Sequence, residues 1–176
     1  MSEIEIRDLR PDEAAALGEF FHIHWRENHV FFRHPEFLVW YYHRNPYAKL
    51  FSTGLTVKGA YHCERLIGFF GYTPFLLNCH GERAYGWHAG QWYVAPEHRV
   101  GALAFQLMDS VRYTMKSPLC FAFDPNSKAR SLLTRLGWIA EDLFPRYILV
   151  LDKPRACSLL GDDSESLAYL ESLPSP

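Results

Sequence analysis

One stretch constrains the fold of this chain more than any other: residues 85–108 are YGWHAGQWYVAPEHRVGALAFQLM. Its first half is rich in aromatic and β-branched residues, which is typical of a strand. Pro96 then predicts a turn, because proline restricts the residue before it to extended geometry. After the turn, apolar residues recur at helical spacing, at Leu103, Leu107 and Val111. The stretch therefore predicts a strand that turns directly into a helix.

The start of that helix is a candidate anion site. A helix that follows a sharp turn leaves its first backbone N–H groups without intrahelical partners. These groups and the helix dipole favour phosphate, and the small residues Gly101, Ala102 and Ala104 would let a pyrophosphate approach the backbone closely. The alternative is an ordinary helix start after a proline turn.

Composition excludes several other classes of protein. With 176 residues, 48% of them hydrophobic, the chain predicts one domain with a real core. The net charge of −2 gives no reason to expect nucleic acid as a partner. No basic leader opens the sequence and no apolar run approaches membrane-spanning length, so we expect a cytoplasmic protein without a membrane partner. The nine histidines lack ligand spacing, and the four cysteines form no C-x-x-C pair, so no metal site is predicted.

The pattern before the central stretch predicts two helices and then antiparallel strands. Residues 4–6 alternate as a short strand, and a helix follows from Pro11 toward His29. Residues 29–47 are the most aromatic part of the chain, with Pro35 in the first turn of a second helix and Asn45-Pro46 at its end. The remaining predicted elements are strands at 55–57 and 66–77, a hairpin loop at 78–83, a buried strand at 119–123, a helix at 127–136 stopped by Gly137, and a final strand at 147–151.

This order predicts an α/β fold with a mixed, largely antiparallel central sheet flanked by helices. We place one domain at residues 1–154. Residues 155–176 are rich in Ser, Asp, Glu and Pro and are expected to be a weakly structured tail.

Three segments together resemble the GCN5-related N-acetyltransferase (GNAT) superfamily over residues 4–152. IEIRDLRPDEAAAL is similar to its first strand and helix, WYVAPEHRVGALAFQLM to its acyl-CoA pyrophosphate motif, and DPNSKARSLLTRLGW to its downstream strand and helix. The resemblance implies an acyl-CoA N-acyltransferase fold and acetyl-CoA as cosubstrate. It implies transfer of an acetyl group to the primary amine of a small molecule, an amino sugar being one candidate.

The match to the pyrophosphate motif is imperfect. Placing Arg99 at its first position puts Ala102 where glycine is usual and Ala104 at the end. A register shifted by one residue puts Gly101 correctly but begins with His98. We prefer the Arg99 register, because it keeps the distance to the strand. On this resemblance the residues expected to bind acyl-CoA are Trp92, Tyr93, Val94, Arg99, Val100, Gly101, Ala102, Leu103, Ala104 and Asn126, and Asn126 is equally suited to cap its own helix.

The resemblance also indicates where the catalytic groups should be. Many relatives use a tyrosine on the last helix to protonate the departing CoA thiolate, but this position is Leu133 here. Tyr113, Tyr93 or a water would then have to supply the proton. Some relatives place a glutamate base early on the central strand, and the matching residue here is His88, whose ordinary pKa near 6.5 suits a base. The alternative is a structural histidine.

Strand geometry makes a further prediction for this region. Because side chains alternate along a strand, His88, Gly90 and Trp92 are expected to share one face. Gln91 would lie on the other face and could only orient a water.

The aromatic segment at residues 29–47 would form the acceptor wall by family analogy, and its candidate substrate-binding residues are Arg33, Tyr41 and Arg44. Helical spacing predicts that most of its rings belong to the core. The remaining rings and basic groups could stack on a sugar and pair with phosphate. The alternative is that the chain is a catalytically degenerate relative, which binds acyl-CoA or a partner protein without turnover. The sequence does not decide between a monomer and a homodimer.

Overall fold

The structure, a computed structural model, describes residues 4–99, 101–117, 119–123, 125–140 and Ala168. The expected strand at 147–151 and Val100 lie outside the described residues, as does all of the 155–176 tail except Ala168. The elements are β1 (Glu5–Asp8), α1 (Ala14–His24), α2 (Val30–Arg33), α3 (Pro35–His43), β2 (Val57–His62), β3 (Arg65–Cys79), β4 (Glu82–Val94), α4 (Leu103–Met115), β5 (Leu119–Ala122) and α5 (Ser127–Arg135). The chain divides into two compact units after Asn126, so that β1–β5 and α1–α4 belong to the first and α5 to the second.

The strands form one sheet in the order β1-β2-β3-β4-β5. The first three pairings are antiparallel, and β5 joins β4 in parallel. The predicted mixed, largely antiparallel sheet flanked by helices is confirmed. The hairpin between β3 and β4 is tighter than expected, because only His80 and Gly81 separate the two strands.

A β-bulge interrupts the pairing of β3 with β4. Phe70 is opposite Trp92 and Tyr72 is opposite Ala89. Gly71 on β3 is therefore matched by two residues of β4, Gly90 and Gln91. A bulge of this kind inserts one extra residue into one strand and changes which side chains face the same way.

The bulge overturns the predicted alternation along β4. His88 is opposite Thr73 and Tyr93 is opposite Phe69. Since Phe69 and Thr73 are four residues apart on β3, they share a face, and so do His88 and Tyr93. Trp92 lies on the other face, so the expectation that it shares a face with His88 was wrong.

The face of the sheet that carries Phe69 is covered by α1 and α3. Phe20 and Phe21 of α1 meet the Phe69 ring at centroid distances of 5.6 and 4.8 Å. From α3, the fully buried Leu38 and Tyr42 join the same core. The helix α4 packs on β2, β3 and β4 and buries one stripe, made of Leu103, Leu107, Met108, Val111 and Met115.

The structure differs from the sequence prediction at several points, and β2 covers Val57–His62 rather than residues 55–57. The first helix ends at His24 rather than near His29, because Asn28 has a φ of 55° and its N–H donates to His22 Nδ1 at 2.9 Å. The strand at the end of the first unit was expected to be buried. It is only partly so, with Phe121 42% exposed.

None of the described helices is both long and apolar enough to cross a membrane.

Candidate active site

The central feature of the site is an edge of β4 that no strand covers. The parallel pairing with β5 ends at Ala89 opposite Ala122, although β4 continues to Val94. Among the described residues, 90–94 of β4 therefore have no strand partner on the β5 side. We call residues 90–94 the open edge of β4. Backbone N–H and C=O groups that point toward this side can bind a ligand, since no neighbouring strand uses them.

The open edge leads directly to the start of α4. After Ala95 comes a 3₁₀ turn, Pro96–His98, and then the predicted anion-binding segment. Gly101 has a φ of 83°, and the space where its Cβ would be is empty to 4 Å. Ala102 is the N-cap of α4 and its side chain makes no capping bond. The first N–H groups of the helix are therefore free of a side-chain cap and open to an anion.

Arg99 connects the open edge to this helix start. Its Nε donates to the Val94 carbonyl at 2.8 Å, and its guanidinium lies over the Tyr93 ring at 4.7 Å. The bond uses one of the five guanidinium N–H donors and leaves the others for an anion. Such an arrangement suits a pyrophosphate next to the helix N-terminus.

His88 lies just before the open edge and is half-buried. Its ring packs on Phe123 with centroids 5.1 Å apart, and its Nε2 is buried without a hydrogen-bond partner among the described residues. Burial lowers the pKa of His88 below its ordinary value, because desolvation disfavours the charged imidazolium. A neutral imidazole with an unused nitrogen can accept a proton.

A residue that the sequence analysis missed reaches the bulge from α3. The hydroxyl of Tyr42, which is fully buried, donates a hydrogen bond to Gln91 Oε1. A Cβ at Gly71 would clash with this hydroxyl, and a Cβ at Gly90 would lie 3.0 Å from the Gly71 carbonyl oxygen. The two glycines thus let the phenol approach the strands. Two glycines on neighbouring strands indicate in the sequence that a side chain can approach the sheet closely there. The sequence does not show that this side chain is Tyr42.

The remaining positions named by the resemblance belong to separate elements. Tyr113 is 79% exposed and two residues after Val111, on the side of α4 that faces away from its buried stripe. Leu133, which takes the place of the family tyrosine, is a buried residue of α5. Asn126 is exposed directly before α5. Within the described part of the chain, no group of His, Cys, Asp and Glu is arranged to hold a metal ion.

The acceptor candidates come from the helices α2 and α3. Arg33 and Arg44 are exposed at the ends of these helices, whereas Tyr41 is partly buried against the core. Phe37 and Trp40 stack on one another at 5.6 Å and are 38% and 55% exposed. The expectation that most rings of this segment belong to the core was therefore wrong, because only Phe31 and Tyr42 are buried, whereas Phe32, Phe37 and Trp40 are exposed.

Comparison with known proteins gives a consistent result. The sequence model of the acetyltransferase (GNAT) family matches residues 17–138. Among solved structures, ribosomal-protein-alanine N-acetyltransferase from Brucella melitensis biovar Abortus 2308 is 17% identical with a TM-score of 0.59, covering 84% of this chain and 99% of its own. An acetyltransferase from Trypanosoma brucei is 16% identical with a TM-score of 0.60, at 84% and 100% coverage.

A third solved structure, the aminoglycoside N-acetyltransferase AAC(6')-Iy with the bisubstrate analog CoA-S-monomethyl-acetylneamine, is 14% identical with a TM-score of 0.61, at 85% and 99% coverage. Identities this low show a shared fold. No curated protein matches the sequence.

Proposed function

The chain belongs to the acetyltransferase (GNAT) family and is an N-acetyltransferase, and on that premise we propose that it transfers the acetyl group of acetyl-CoA to the primary amine of a small molecule. An amino sugar is the acceptor class that we favour. One observation carries this proposal: the open edge of β4 runs directly into a helix start that has no side-chain cap.

In this proposal acyl-CoA lies along that path. Arg99 and the backbone at the start of α4 bind its pyrophosphate. The residues that contribute this backbone are Gly101, Ala102, Leu103 and Ala104. The thioester carbonyl is polarised by N–H groups of the open edge, around Trp92, Tyr93 and Val94. Donors fixed before the reaction stabilise the negative charge that develops on this oxygen.

The chemistry then needs a base and an acid. The amine attacks the thioester carbon, a C–N bond forms, and His88 Nε2 takes the amine proton. The C–S bond breaks and the CoA thiolate leaves. Tyr113, Tyr93 or a water returns a proton to the sulfur, so that the products are an amide and CoA.

The acceptor is proposed to approach from α2 and α3. Arg33 and Arg44 would pair with anionic groups on it, and Tyr41 would lie beside the exposed Phe37 and Trp40 rings. Aromatic faces and guanidinium groups suit a sugar or a phosphorylated acceptor. The bisubstrate analog of AAC(6')-Iy, an acetylneamine joined to CoA, supports an amino sugar as the first acceptor to test.

We further propose that the acetyltransferase domain spans residues 1–154 and that residues 155–176 are an appendage to it. The protein would act in the cytoplasm without nucleic-acid or membrane partners.

A second candidate function is binding of acyl-CoA without turnover. It is favoured by Leu133 in the place of the family acid and by Ala102 in the place of a glycine. Calorimetric titration with acetyl-CoA and CoA, followed by thiol-release assays on a panel of amino sugars and other amines, separates the two functions. We expect binding and thiol release. Binding without release for every acceptor would favour the second function, and absence of binding would exclude both.

A further inference from the structure

We propose that Gln91 donates a hydrogen bond from its amide nitrogen to the thioester oxygen of acyl-CoA, and that Tyr42 is the positioning residue that fixes this amide. The proposal rests on the acetyl-transfer function proposed above. It assigns a catalytic role to a side chain of the open edge and an indirect role to a tyrosine of α3.

Tyr42 holds the side-chain amide of Gln91 in a single orientation. The phenol is fully buried and donates to Gln91 Oε1. Burial raises the pKa of Tyr42 well above its ordinary value, the nearby Tyr41 adds to this, and a smaller contribution from the Gln91 backbone opposes it. The hydroxyl therefore keeps its proton and remains a donor to Gln91 Oε1.

The bond to Tyr42 uses the amide oxygen of Gln91 and leaves its NH₂ group. A primary amide has one acceptor oxygen and two N–H donors. Because the oxygen is engaged by Tyr42, the free hydrogen-bonding capacity on the other side of the amide is mainly that of the NH₂ group. A group of donors suits a carbonyl oxygen or an oxyanion and does not suit an ammonium ion.

The Gln91 amide lies close to the position proposed for the thioester. Gln91 is the second residue of the open edge, and it is in the bulge. The bulge brings its side chain to the α3 side of the sheet, where Tyr42 lies and where His88 projects beside Thr73. The amide donor and the proposed base thus lie on one face of β4, at the point where pairing with β5 ends.

These positions define the part of Gln91 in the reaction. As the amine attacks, the carbonyl π electrons move to oxygen, and the Gln91 N–H donors stabilise the resulting oxyanion. When the oxyanion collapses, the C–S bond breaks and the electron pair leaves with sulfur. Gln91 neither gains nor loses a proton.

Two substitutions of Gln91 test the donor. Gln91→Glu keeps the size of the side chain and an oxygen for Tyr42, but removes the NH₂ group. Gln91→Leu removes both. We expect kcat to fall on the order of 10²-fold in each variant, as for loss of one oxyanion donor, with the acceptor KM changed less than threefold. A Gln91→Glu variant with wild-type or higher kcat would overturn the proposal.

A double-mutant cycle tests the positioning role of Tyr42. Tyr42→Phe should lower kcat roughly tenfold in the wild-type background, because a misplaced group loses part of its effect. In the Gln91→Leu background it should have no further effect on kcat. Equal effects in the two backgrounds would show that Tyr42 acts independently of Gln91. The matched control is Tyr61→Phe, which removes another buried tyrosine hydroxyl, bonded to Glu13 at 3.2 Å, and should leave kcat unchanged.

A measurement without an acceptor separates this proposal from the proposed function. Infrared difference spectroscopy of bound acetyl-CoA with a ¹³C-labelled carbonyl reports hydrogen bonding to the thioester oxygen. The carbonyl band should move to higher frequency in Gln91→Leu, and by a smaller amount in Tyr42→Phe. An unchanged band in variants that still bind acetyl-CoA would overturn the role of Gln91, whereas absence of acetyl-CoA binding by the wild-type protein would overturn the proposed function itself.

Discussion

Thr73 and His88 are directly opposite on β3 and β4, and in each side chain one buried polar atom lacks a hydrogen-bond partner among the described residues. The atoms are Thr73 Oγ1 and His88 Nε2. A buried polar group without a partner costs about 1–3 kcal/mol. We therefore expect a water or the acceptor amine to occupy the space between these atoms in the working enzyme.

The first prediction concerns His88 as the base. Because burial lowers its pKa below 6.5, the rate should rise with pH on the acidic side of 6.5 and be level at neutral pH, where the imidazole is already neutral. His88→Ala should lower kcat on the order of 10²-fold with little change in acyl-CoA affinity. In His88→Gln the pH step should disappear, as measured by kcat between pH 4.5 and 8.

The matched control for this series is His43→Gln. His43 is also half-buried, but its Nδ1 is paired with the Gly54 carbonyl at 2.9 Å. This variant should keep both kcat and the pH step. Wild-type kinetics in both His88 variants would make His88 a structural histidine.

The second prediction concerns the proposed pyrophosphate-binding site at the start of α4. Ala102→Glu places a carboxylate at the exposed, uncapped start of α4, where it would repel phosphate. Affinity for acyl-CoA should fall at least tenfold, about 1.4 kcal/mol, in calorimetric titrations. Ala16→Glu, an exposed alanine of α1, is the control and should bind normally. Normal affinity in a folded Ala102→Glu variant would place the anion site elsewhere.

The third prediction concerns the proton that CoA receives. Tyr113→Phe and Tyr93→Phe each remove one candidate donor, and loss of a true general acid should lower kcat at least tenfold. If neither variant changes kcat, the proton comes from water. Because Tyr113 is 79% exposed, its variant should fold with wild-type stability, so that a change in its rate reports chemistry.

The fourth prediction concerns stability at low pH. Glu13 accepts two hydrogen bonds from Arg7, at 2.7 and 2.8 Å. Chiefly for this reason its pKa falls from 4.5 to about 2. A carboxyl group whose pKa is lower in the folded than in the unfolded state stabilises the folded protein fully above pH 4.5. This contribution is lost as the pH falls toward 2.

Urea unfolding can measure this contribution. Glu13→Gln should cost on the order of 2 kcal/mol at pH 6, a figure discounted for partial exposure of Arg7, and much less at pH 2.5. Glu5→Gln, which removes an exposed carboxylate 3.6 Å from Arg7, is the control. A cost for Glu13→Gln that is equal at both pH values would show that ionisation of Glu13 does not contribute to stability.

Local patterns in the sequence were enough to predict most of the fold. Pro35 begins α3 as expected, α5 ends before Gly137, and α4 begins at Leu103 with the predicted buried stripe. These features depend on proline geometry and on helical spacing, and both are properties of a short segment.

The features that the sequence did not predict depend on contacts between distant residues. The bulge lies where Tyr42 packs against Gly71 and Gly90, and Tyr42 is hydrogen-bonded there to Gln91, which is 49 positions away in the sequence. Helical spacing could assign Tyr42 to the core but could not show which strand it meets. For the same reason Gln91 was expected on the opposite face of β4 from His88, whereas the bulge brings its side chain to the face that carries both His88 and Tyr93. The positions of His88 on β4 and of Arg99 after the turn were predictable, because they follow from chain order alone.

The bulge also constrains how this strand can change in length. In a regular strand, residues that share a face are an even number of positions apart. Because of the bulge, His88 and Tyr93 share a face although they are five positions apart. Deleting Gly90 would restore one-to-one pairing of β4 with β3 and would leave His88 and Tyr93 on one face, because they would then be four instead of five positions apart. A descendant of this chain could therefore lose one residue at the bulge and keep these two side chains on one face, whereas a second deletion there would turn them to opposite faces.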